Sequence, residues 1–193
     1  MIIGLTGRNA SGKGEAANYL KEKGFVYYSL SDALREEATK RGSEHSRDNL
    51  IKLGNDLRAK FGASYLAQQI NKKIKKQQQG KNKNQNFVID SIRSPFEAKE
   101  LMKNKGFVLV GIDAPIELRF RRLLERNRLG DAKTLEEFKQ QEQRENLKSD
   151  TNQQLDATFG MADKVILNEG VLEDLHKKID DLIVEIKNNA ITT

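Results

Sequence analysis

Residues 2–13 read Ile-Ile-Gly-Leu-Thr-Gly-Arg-Asn-Ala-Ser-Gly-Lys, a short apolar run followed at once by a glycine-rich turn and a lysine. The apolar run predicts a buried β-strand, and Ala16, Ala17 and Leu20 after Lys13 have helical spacing. Glycines let a loop fold tightly enough for successive N–H groups to surround phosphate oxygens, and the N-terminus of a helix adds positive potential. The stretch therefore predicts a strand, a phosphate-binding loop and a helix, in that order.

The loop residues predict contacts with the phosphates of a nucleotide. Lys13 is also assigned to catalysis because a lysine at this position reaches the outer phosphates. A serine or threonine usually follows it and binds magnesium, whereas Gly14 and Glu15 follow here. A carboxylate beside bound phosphates is repulsive unless it faces magnesium, a lysine or solvent, so the way magnesium is held stays open. The residues predicted to bind the nucleotide here are Gly7, Asn9, Ala10, Ser11, Gly12, Lys13, Gly14 and Glu15.

The rest of the chain alternates strand-like and helical segments. Apolar runs of strand type recur at 25–30, 87–90, 108–113 and 165–168, with helical spacing or turn signals between them. Strands alternating with helices predict a parallel sheet. Two or three helices lie between the second and third strands, and an insertion there would cover the C-terminal edge of the sheet, where ligands bind in open α/β folds.

Composition narrows the class of protein. The 193 residues include no cysteine and only two histidines, which excludes disulfides, thiolate zinc sites, cysteine nucleophiles and multi-histidine metal centres. A net charge of +6 suits either nucleic acid or polyphosphate ligands. The lysine-rich stretch at 72–83 lacks aromatic residues, so we interpret it as a solvated helix end and loop. No apolar run is long enough to cross a bilayer and no cleavable signal is recognised, so we expect a cytoplasmic protein without a membrane partner.

Acidic and basic residues follow the second and third predicted strands. Asp32 and Arg35 begin the insertion, where Asp32 is also an ordinary N-cap candidate. Asp90 ends the third strand, and we assign it as the metal ligand because a carboxylate beside a phosphate loop positions hydrated magnesium. Arg93 follows it. Asp113 competes for the metal role, but we favour a strand end and helix start for that residue.

A row of arginines follows the fourth strand. Arg119, Arg122 and Arg126 are three and four residues apart, so they share one face of a helix. Arg128 and Arg144 lie further along, in a polar stretch that is either a mobile lid or an ordinary surface helix. Such a face is either simply solvated or neutralises charge on a phosphoryl group in transfer. We assign the catalytic role to Arg126.

Two segments resemble known kinases. Residues 12–14, Gly-Lys-Gly, resemble the loop of adenylate kinases, although the threonine that follows there is glutamate here. Residues 30–35, Leu-Ser-Asp-Ala-Leu-Arg, are similar to the adenylate kinase segment Thr-Gly-Asp-Met-Leu-Arg. That resemblance implies that Arg35 binds the phosphate of the acceptor. Asp32 falls where dephospho-coenzyme A kinases carry the aspartate that orients the attacking hydroxyl group.

Two later segments extend the resemblance. Residues 90–93, Asp-Ser-Ile-Arg, resemble the Asp-Gly-Phe-Pro-Arg segment of nucleoside monophosphate kinases, with its proline lost. This implies that Arg93 is a second clamp on the acceptor phosphate. Residues 162–170 are similar to dephospho-coenzyme A kinases, in which the corresponding loop lies against the nucleotide base. That resemblance implies adenine contacts from Asn168 or Gly170.

Nearly the whole chain resembles a nucleoside monophosphate kinase-like family. This family comprises small stand-alone proteins labelled dephospho-coenzyme A kinase-like and the kinase-like part of some deoxycytidylate deaminases. Residues 30–62 carry the closer likeness, through Arg-Glu-Glu at 35–37 and Leu-Gly-Asn-Asp-Leu-Arg at 53–58. The motifs of a zinc deaminase, His-x-Glu and Cys-x-x-Cys, do not occur in the sequence.

The resemblance implies a three-layer α/β P-loop NTPase fold with a five-stranded parallel sheet. The single domain would have a core of 1–30, 86–125 and 151–193, a helical acceptor-binding insertion at 31–85 and a small lid at 126–150. With ATP and Mg²⁺ it would phosphorylate a nucleoside or deoxynucleoside monophosphate. Dephospho-coenzyme A kinase and a nucleotide-binding regulatory module with weak ATPase activity are the alternatives. Nucleic-acid binding ranks lowest, and both a monomer and a homodimer stay open.

Overall fold

The computed structural model describes residues 1–79, 85–127, 130–145 and 154–191. The strands are β1 (Ile2–Thr6), β2 (Val26–Ser29), β3 (Phe87–Asp90), β4 (Phe107–Asp113) and β5 (Lys164–Leu167). The helices are α1 (Lys13–Glu22), α2 (Leu30–Lys40), α3 (Arg47–Phe61), α4 (Tyr65–Gln78), α5 (Pro95–Leu101), α6 (Ile116–Arg126), α7 (Leu135–Glu145), α8 (Leu155–Phe159) and α9 (Leu172–Ile191).

The five strands form one parallel sheet in the order β2-β3-β1-β4-β5. Strand β1 lies at its centre, where Ile2 pairs with Phe87 on one side and Phe107 on the other. All five residues of β1 are buried, which is why its sequence is a continuous apolar run rather than an alternating one. The predicted α/β fold with a five-stranded parallel sheet is confirmed.

Helices cover both faces of the sheet and make three layers. Ile3 and Leu5 point to the face covered by α1 and α9, where they pack with Leu20 and Leu175. Ile2 points to the opposite face, which is covered by α2–α5. Alternate residues of the strands thus enter two separate hydrophobic cores.

Helices α2, α3 and α4 occupy the predicted insertion between β2 and β3. On α4 the buried positions include Leu66, Ile70 and Ile74, while the lysines from 72 to 76 lie on its exposed side. The other two lysines of that stretch, at 81 and 83, lie outside the described residues. An exposed cationic face opposite an apolar stripe is the ordinary pattern of a surface helix.

The described part of the predicted lid contains helix α7. Phe138 of α7 is fully buried and packs with Leu123 of α6 and Ala132. Residues 128–129 and 146–153 lie outside the described residues, so the lid role itself stays a proposal. Across the ranges that the structure does describe, no helix combines the length and hydropathy that crossing a membrane requires.

Candidate active site

The predicted phosphate-binding loop joins β1 to α1 and folds around its own lysine. The ammonium group of Lys13 donates hydrogen bonds of 2.7 Å to the carbonyls of Gly7 and Arg8. Two glycines permit this path: a Cβ on Gly7 (φ +143°) would lie 2.1 Å from the carbonyl oxygen of Ile112. A Cβ on Gly12 (φ +103°) would lie 2.1 Å from a side-chain nitrogen. The loop is therefore closed and preformed around a cation.

The side-chain nitrogen beside Gly12 is Nδ2 of Asn168, which also contacts the backbone of the phosphate-binding loop. Its buried side-chain amide donates a hydrogen bond of 2.9 Å to the carbonyl of Ser11. Gly170, two residues on, is exposed, and Asp174 accepts a bond from the neighbouring Val171 N–H at the start of α9. The structure thus places Asn168 against the loop backbone; contact of either residue with adenine stays a prediction.

An open cleft of about 920 Å³ lies over the loop and collects the predicted site residues. The C-terminal ends of β1, β2 and β3 meet there, as expected for ligand sites in parallel sheets. Its lining includes the loop from Asn9 to Glu15, together with Asp32, Arg35, Asp90, Arg93, Arg122 and Arg126. Residues from four separate segments of the chain are therefore brought to one place.

A smaller cavity of about 270 Å³ adjoins this cleft beneath the insertion. Asn9, Ser31, Arg35, Ser91, Arg93 and Arg126 line both spaces. The remaining walls of the cavity are mainly apolar and include Leu30, Leu34, Leu50, Ile51 and Leu66, with His45, Arg58 and Asp131 as further polar groups. The cavity can thus hold an apolar or flat body whose anionic end faces the loop; we call it the acceptor cavity.

Asp90 stands at the end of β3 and faces the cleft. One carboxylate oxygen accepts the backbone N–H of Ser91 at 2.6 Å, and the other accepts its hydroxyl at 3.2 Å. Ser91 has φ +64°, a conformation that is strained for a non-glycine residue. Such strain is commonly retained at ligand sites, and here it turns the chain sharply from β3 toward Arg93.

The residues present fit magnesium held mainly through phosphates and water. In the described ranges, no group of three or more acidic, histidine or cysteine side chains is placed to hold a metal ion. Mg²⁺ at phosphate sites usually needs only one or two carboxylates, which Asp90 could supply. A Cβ added at Gly14 would have no atom within 4 Å, so this side of the loop has room for hydrating water.

Asp32 and Arg35 form an ion pair at the start of α2. The guanidinium of Arg35 donates to Asp32 at 2.8 Å and to the hydroxyl of Ser31 at 3.1 Å. The hydroxyl of Tyr27 donates to the other oxygen of Asp32 at 3.3 Å. Burial, reinforced by the charges of Asp90 and Asp32, raises the pKa of Tyr27 to about 12, so its hydroxyl stays a donor near neutral pH. Both oxygens of Asp32 are therefore engaged.

The three arginines that share one face of α6 have different environments. Arg119 is 2% exposed and donates to the carbonyls of Ala114 and Asn9 and to Glu142, so it fastens α6 to the loop and to α7. Arg126 donates to both oxygens of Asp131 at 2.9–3.2 Å and to the side chain of Asn9 at 3.3 Å. Its charge is therefore already partly balanced.

Arg122 also lines the cleft, and its guanidinium is less completely hydrogen-bonded than that of Arg126. Its buried Nη1 has no hydrogen-bond partner among the described residues, and burial lowers its pKa. A buried guanidinium N–H without a partner calls for an explanation, and an anionic ligand bound in the cleft would supply that partner. Of the other arginines predicted for the lid, Arg144 lies on the exposed side of α7, and Arg128 lies outside the described residues.

Comparison with known proteins places the chain in a family. Residues 6–139 match the AAA domain family. The chain is 32% identical to a UPF0200 protein of Pyrococcus horikoshii over 98% of its own length and 99% of that protein. The chain belongs to the UPF0200 family and contains an AAA domain. A UPF0200/UPF0201 protein of Archaeoglobus fulgidus is 33% identical, and the chain spans only 57% of that relative's length.

Solved structures show which fold this UPF0200 chain shares. TT1252 of Thermus thermophilus superimposes with a TM-score of 0.61 over 96% of this chain and 97% of that one, at 24% identity. Shikimate kinase of Aquifex aeolicus gives a TM-score of 0.52 over the full length of both chains, at 18% identity. Both superpositions show that the chain shares the fold of these proteins, which include a shikimate kinase. The nucleoside monophosphate kinase-like resemblance, and the activity that it implies, are finer than this and stay a proposal.

Three residues of the cleft were not predicted as principal site residues from the sequence. Arg122 shares a helix face with Arg126, and that spacing was the available signal. Tyr27 and Ser91 carry no motif of their own: their positions depend on which strands are neighbours in the sheet. All three line the cleft beside the predicted site residues.

Proposed function

We propose that the protein is an ATP-dependent phosphotransferase whose acceptor is a nucleoside or deoxynucleoside monophosphate. The observation that carries the proposal is the position of Arg35 and Arg93. Both line the acceptor cavity and the cleft above the phosphate-binding loop, where the two spaces meet. Planar guanidinium groups suit the phosphate of an acceptor because each can donate two parallel hydrogen bonds.

The donor is ATP, with its phosphates in the loop. Successive loop N–H groups and the N-terminus of α1 would bind the β- and γ-phosphates. In exchange for its two carbonyl contacts, Lys13 would bind the outer phosphates. Asp90 would hold magnesium, which when bound would supply further neutralisation of phosphate charge.

The acceptor would place its base against the leucine-rich walls of the acceptor cavity and its phosphate between the two arginines. One oxygen of that phosphate attacks the γ-phosphorus of ATP, the bond to the β-phosphate oxygen breaks, and ADP leaves. The acceptor oxygen is already ionised, so no proton needs to be removed. Arg122 and Arg126 would neutralise the charge of the transferred group, because positioning and electrostatics dominate in phosphoryl transfer.

The contacts of Asp32 are compatible with a monophosphate acceptor. A hydroxyl acceptor requires a base to take its proton, whereas with a monophosphate acceptor Asp32 needs only to hold Arg35 and Tyr27 through the bonds that it already accepts. One observation favours dephospho-coenzyme A as a second candidate: Asp32 lines the cleft itself, within the space that a hydroxyl acceptor would enter. The two candidates differ in the acceptor alone.

The test is conversion of ATP to ADP with Mg²⁺ against a panel of nucleoside and deoxynucleoside monophosphates and dephospho-coenzyme A. Lys13→Ala is the blank, and Lys21→Ala, an exposed lysine on the same helix, is its matched control. We expect one class of monophosphate to stimulate turnover in the wild type and the control but not in the blank. Equal slow hydrolysis with every acceptor would contradict the proposal and favour a regulatory nucleotide-binding module.

A further inference from the structure

One buried carboxylate joins the insertion to the core beside the acceptor cavity. Glu97 of α5 is 0% exposed, and Arg58 of α3 is 4% exposed. One oxygen of Glu97 accepts hydrogen bonds from Arg58 Nε at 3.1 Å and Nη2 at 2.7 Å. The other oxygen accepts the backbone N–H of Arg93 at 3.0 Å. The side chain of Glu97 therefore contacts both an insertion helix and the peptide of a proposed phosphate clamp.

Local sequence explains how the two charges meet. A Cβ at Gly54 would lie 3.1 Å from Arg58 Nη1 and 3.3 Å from Leu34, so a glycine lets the guanidinium lie close to the α3 backbone. Glu97 is the third residue of α5, after the N-cap Ser94. A glutamate in this position often accepts an N–H at the start of its own helix, as Glu97 does from Arg93.

The loop that carries Arg93 is fixed on several sides. The N–H of Ile92 donates to the carbonyl of Leu5 at 3.2 Å, and the hydroxyl of Thr6 donates to the carbonyl of Ile92 at 2.9 Å. Gln154 N–H donates to the carbonyl of Arg93 at 2.9 Å. The bond from Arg93 N–H to Glu97 completes this set and links the loop to the insertion.

Stability alone does not explain a buried ion pair at this place. Removing two charges from water is costly, and an apolar pair of similar volume is often as stable or more so. Arg58 lines the acceptor cavity, as Arg93 does, so the pair lies at the wall where an acceptor would bind. Hydrogen bonds between charged groups have a defined geometry, so this pair restricts the distance between α3 and the loop that carries Arg93 to a smaller range than apolar contacts would.

We propose that Glu97 is a positioning residue, held by Arg58, that orients Arg93 toward the acceptor phosphate. The inference rests on the proposed function and deepens it. Glu97 acts through the Arg93 peptide and does not itself contact substrate. Its loss should weaken binding of the acceptor while leaving binding of ATP unchanged, because the bond from Glu97 ends at the acceptor side of the site.

The test compares two double variants, Arg58→Met/Glu97→Gln and Arg58→Met/Glu97→Met. Both remove the buried charge pair, so neither leaves an unpaired charge that prevents folding. They differ in one respect: the carbonyl of glutamine can still accept the Arg93 N–H, and the thioether of methionine is only a weak acceptor. KM for the acceptor and for ATP, kcat and the melting temperature are measured for each.

We expect the acceptor KM of the methionine double variant to be about tenfold higher than that of the glutamine double variant. The KM for ATP should agree within about twofold between the two double variants. Leu182→Ala on α9, in the other core, is the stability control: it should lower the melting temperature without moving either KM.

Equal acceptor KM values in the two double variants would overturn the positioning role and leave the proposed function intact. An equal rise in both KM values of the methionine variant would also overturn it, because it indicates general loosening of the site. A wild type without any acceptor-stimulated turnover refutes the proposed function, and the inference with it, before the variants are compared.

Discussion

The substitution Asp32→Asn separates the two candidate acceptors. The carboxylate of Asp32 binds Arg35 and Tyr27, and asparagine keeps one oxygen that can still accept from either. With a nucleoside monophosphate the reaction needs no base, so kcat should stay near the wild-type value. With a hydroxyl acceptor, by contrast, the substitution removes the group that takes the proton.

The magnitudes of the two effects are well separated. The side chains of Asp32 and Arg35 are 48% and 41% exposed, and an ion pair at such exposure contributes at most about 1 kcal/mol. Its loss therefore changes the acceptor KM by no more than about fivefold, in the direction of tighter binding, since Arg35 gains freedom to bind the phosphate. Loss of a general base lowers kcat by about 10²–10⁴.

The assay is ADP formation at saturating ATP and Mg²⁺, with the acceptor varied over its KM. Asp48→Asn is a matched control, because Asp48 also lies in the first turn of a helix with a serine N-cap. Both variants lose the same favourable charge at a helix N-terminus. A hundredfold fall in kcat with a nucleoside monophosphate, in Asp32→Asn alone, would refute the argument that this acceptor needs no base.

Three other perturbations probe the loop and the cleft. At Gly12 the backbone has φ +103° and an added Cβ would lie 2.1 Å from Asn168 Nδ2, so Gly12→Ala should cost more than about 1 kcal/mol of stability and raise KM for ATP. A Cβ at Gly14 has open space around it, so Gly14→Ala should change neither quantity. Thermal melts and steady-state kinetics measure both effects. Arg122→Gln should lower kcat about tenfold to a hundredfold, whereas Arg144→Gln on the exposed face of α7 should match wild type in the same assay. The folded-state pKa of Tyr27 is raised to about 12, so its stabilising contribution is present below pH 10 and lost as pH rises toward 12. In Tyr27→Phe, denaturant titrations should therefore show a smaller fall in unfolding free energy over that range than in wild type; an identical fall would exclude this tyrosine as its source.

Local sequence was sufficient for the parts of the site that short-range geometry controls. The apolar run, the glycines and Lys13 predicted a strand, a closed phosphate loop and a helix because backbone freedom and helix polarity are properties of neighbouring residues. The strand that ends at Asp90 and the helices of the insertion were predicted from the same kind of local pattern, and the observed sheet confirms the fold class.

The partners of charged side chains could not be read from the sequence. Arg126 was assigned to catalysis, and only the fold shows that Asp131 already binds its guanidinium. Adenine contact was predicted for Asn168 or Gly170 and stays a prediction, and only the fold shows that the amide of Asn168 donates to the loop carbonyl of Ser11, 157 residues away in the chain. Such pairs depend on which strands and helices become neighbours, and many pairings are compatible with the same local pattern.

The sequence by itself therefore determined the loop and the order of strands and helices, because each follows from periodicity and backbone chemistry within a few residues. Only the tertiary structure decided which cations are paired, where the acceptor cavity lies and that Glu97 joins Arg58 to the Arg93 peptide. The physical reason is that burial and hydrogen-bond partners are set by packing between segments distant in the chain, and these contacts exist only once the sheet and its helices have assembled.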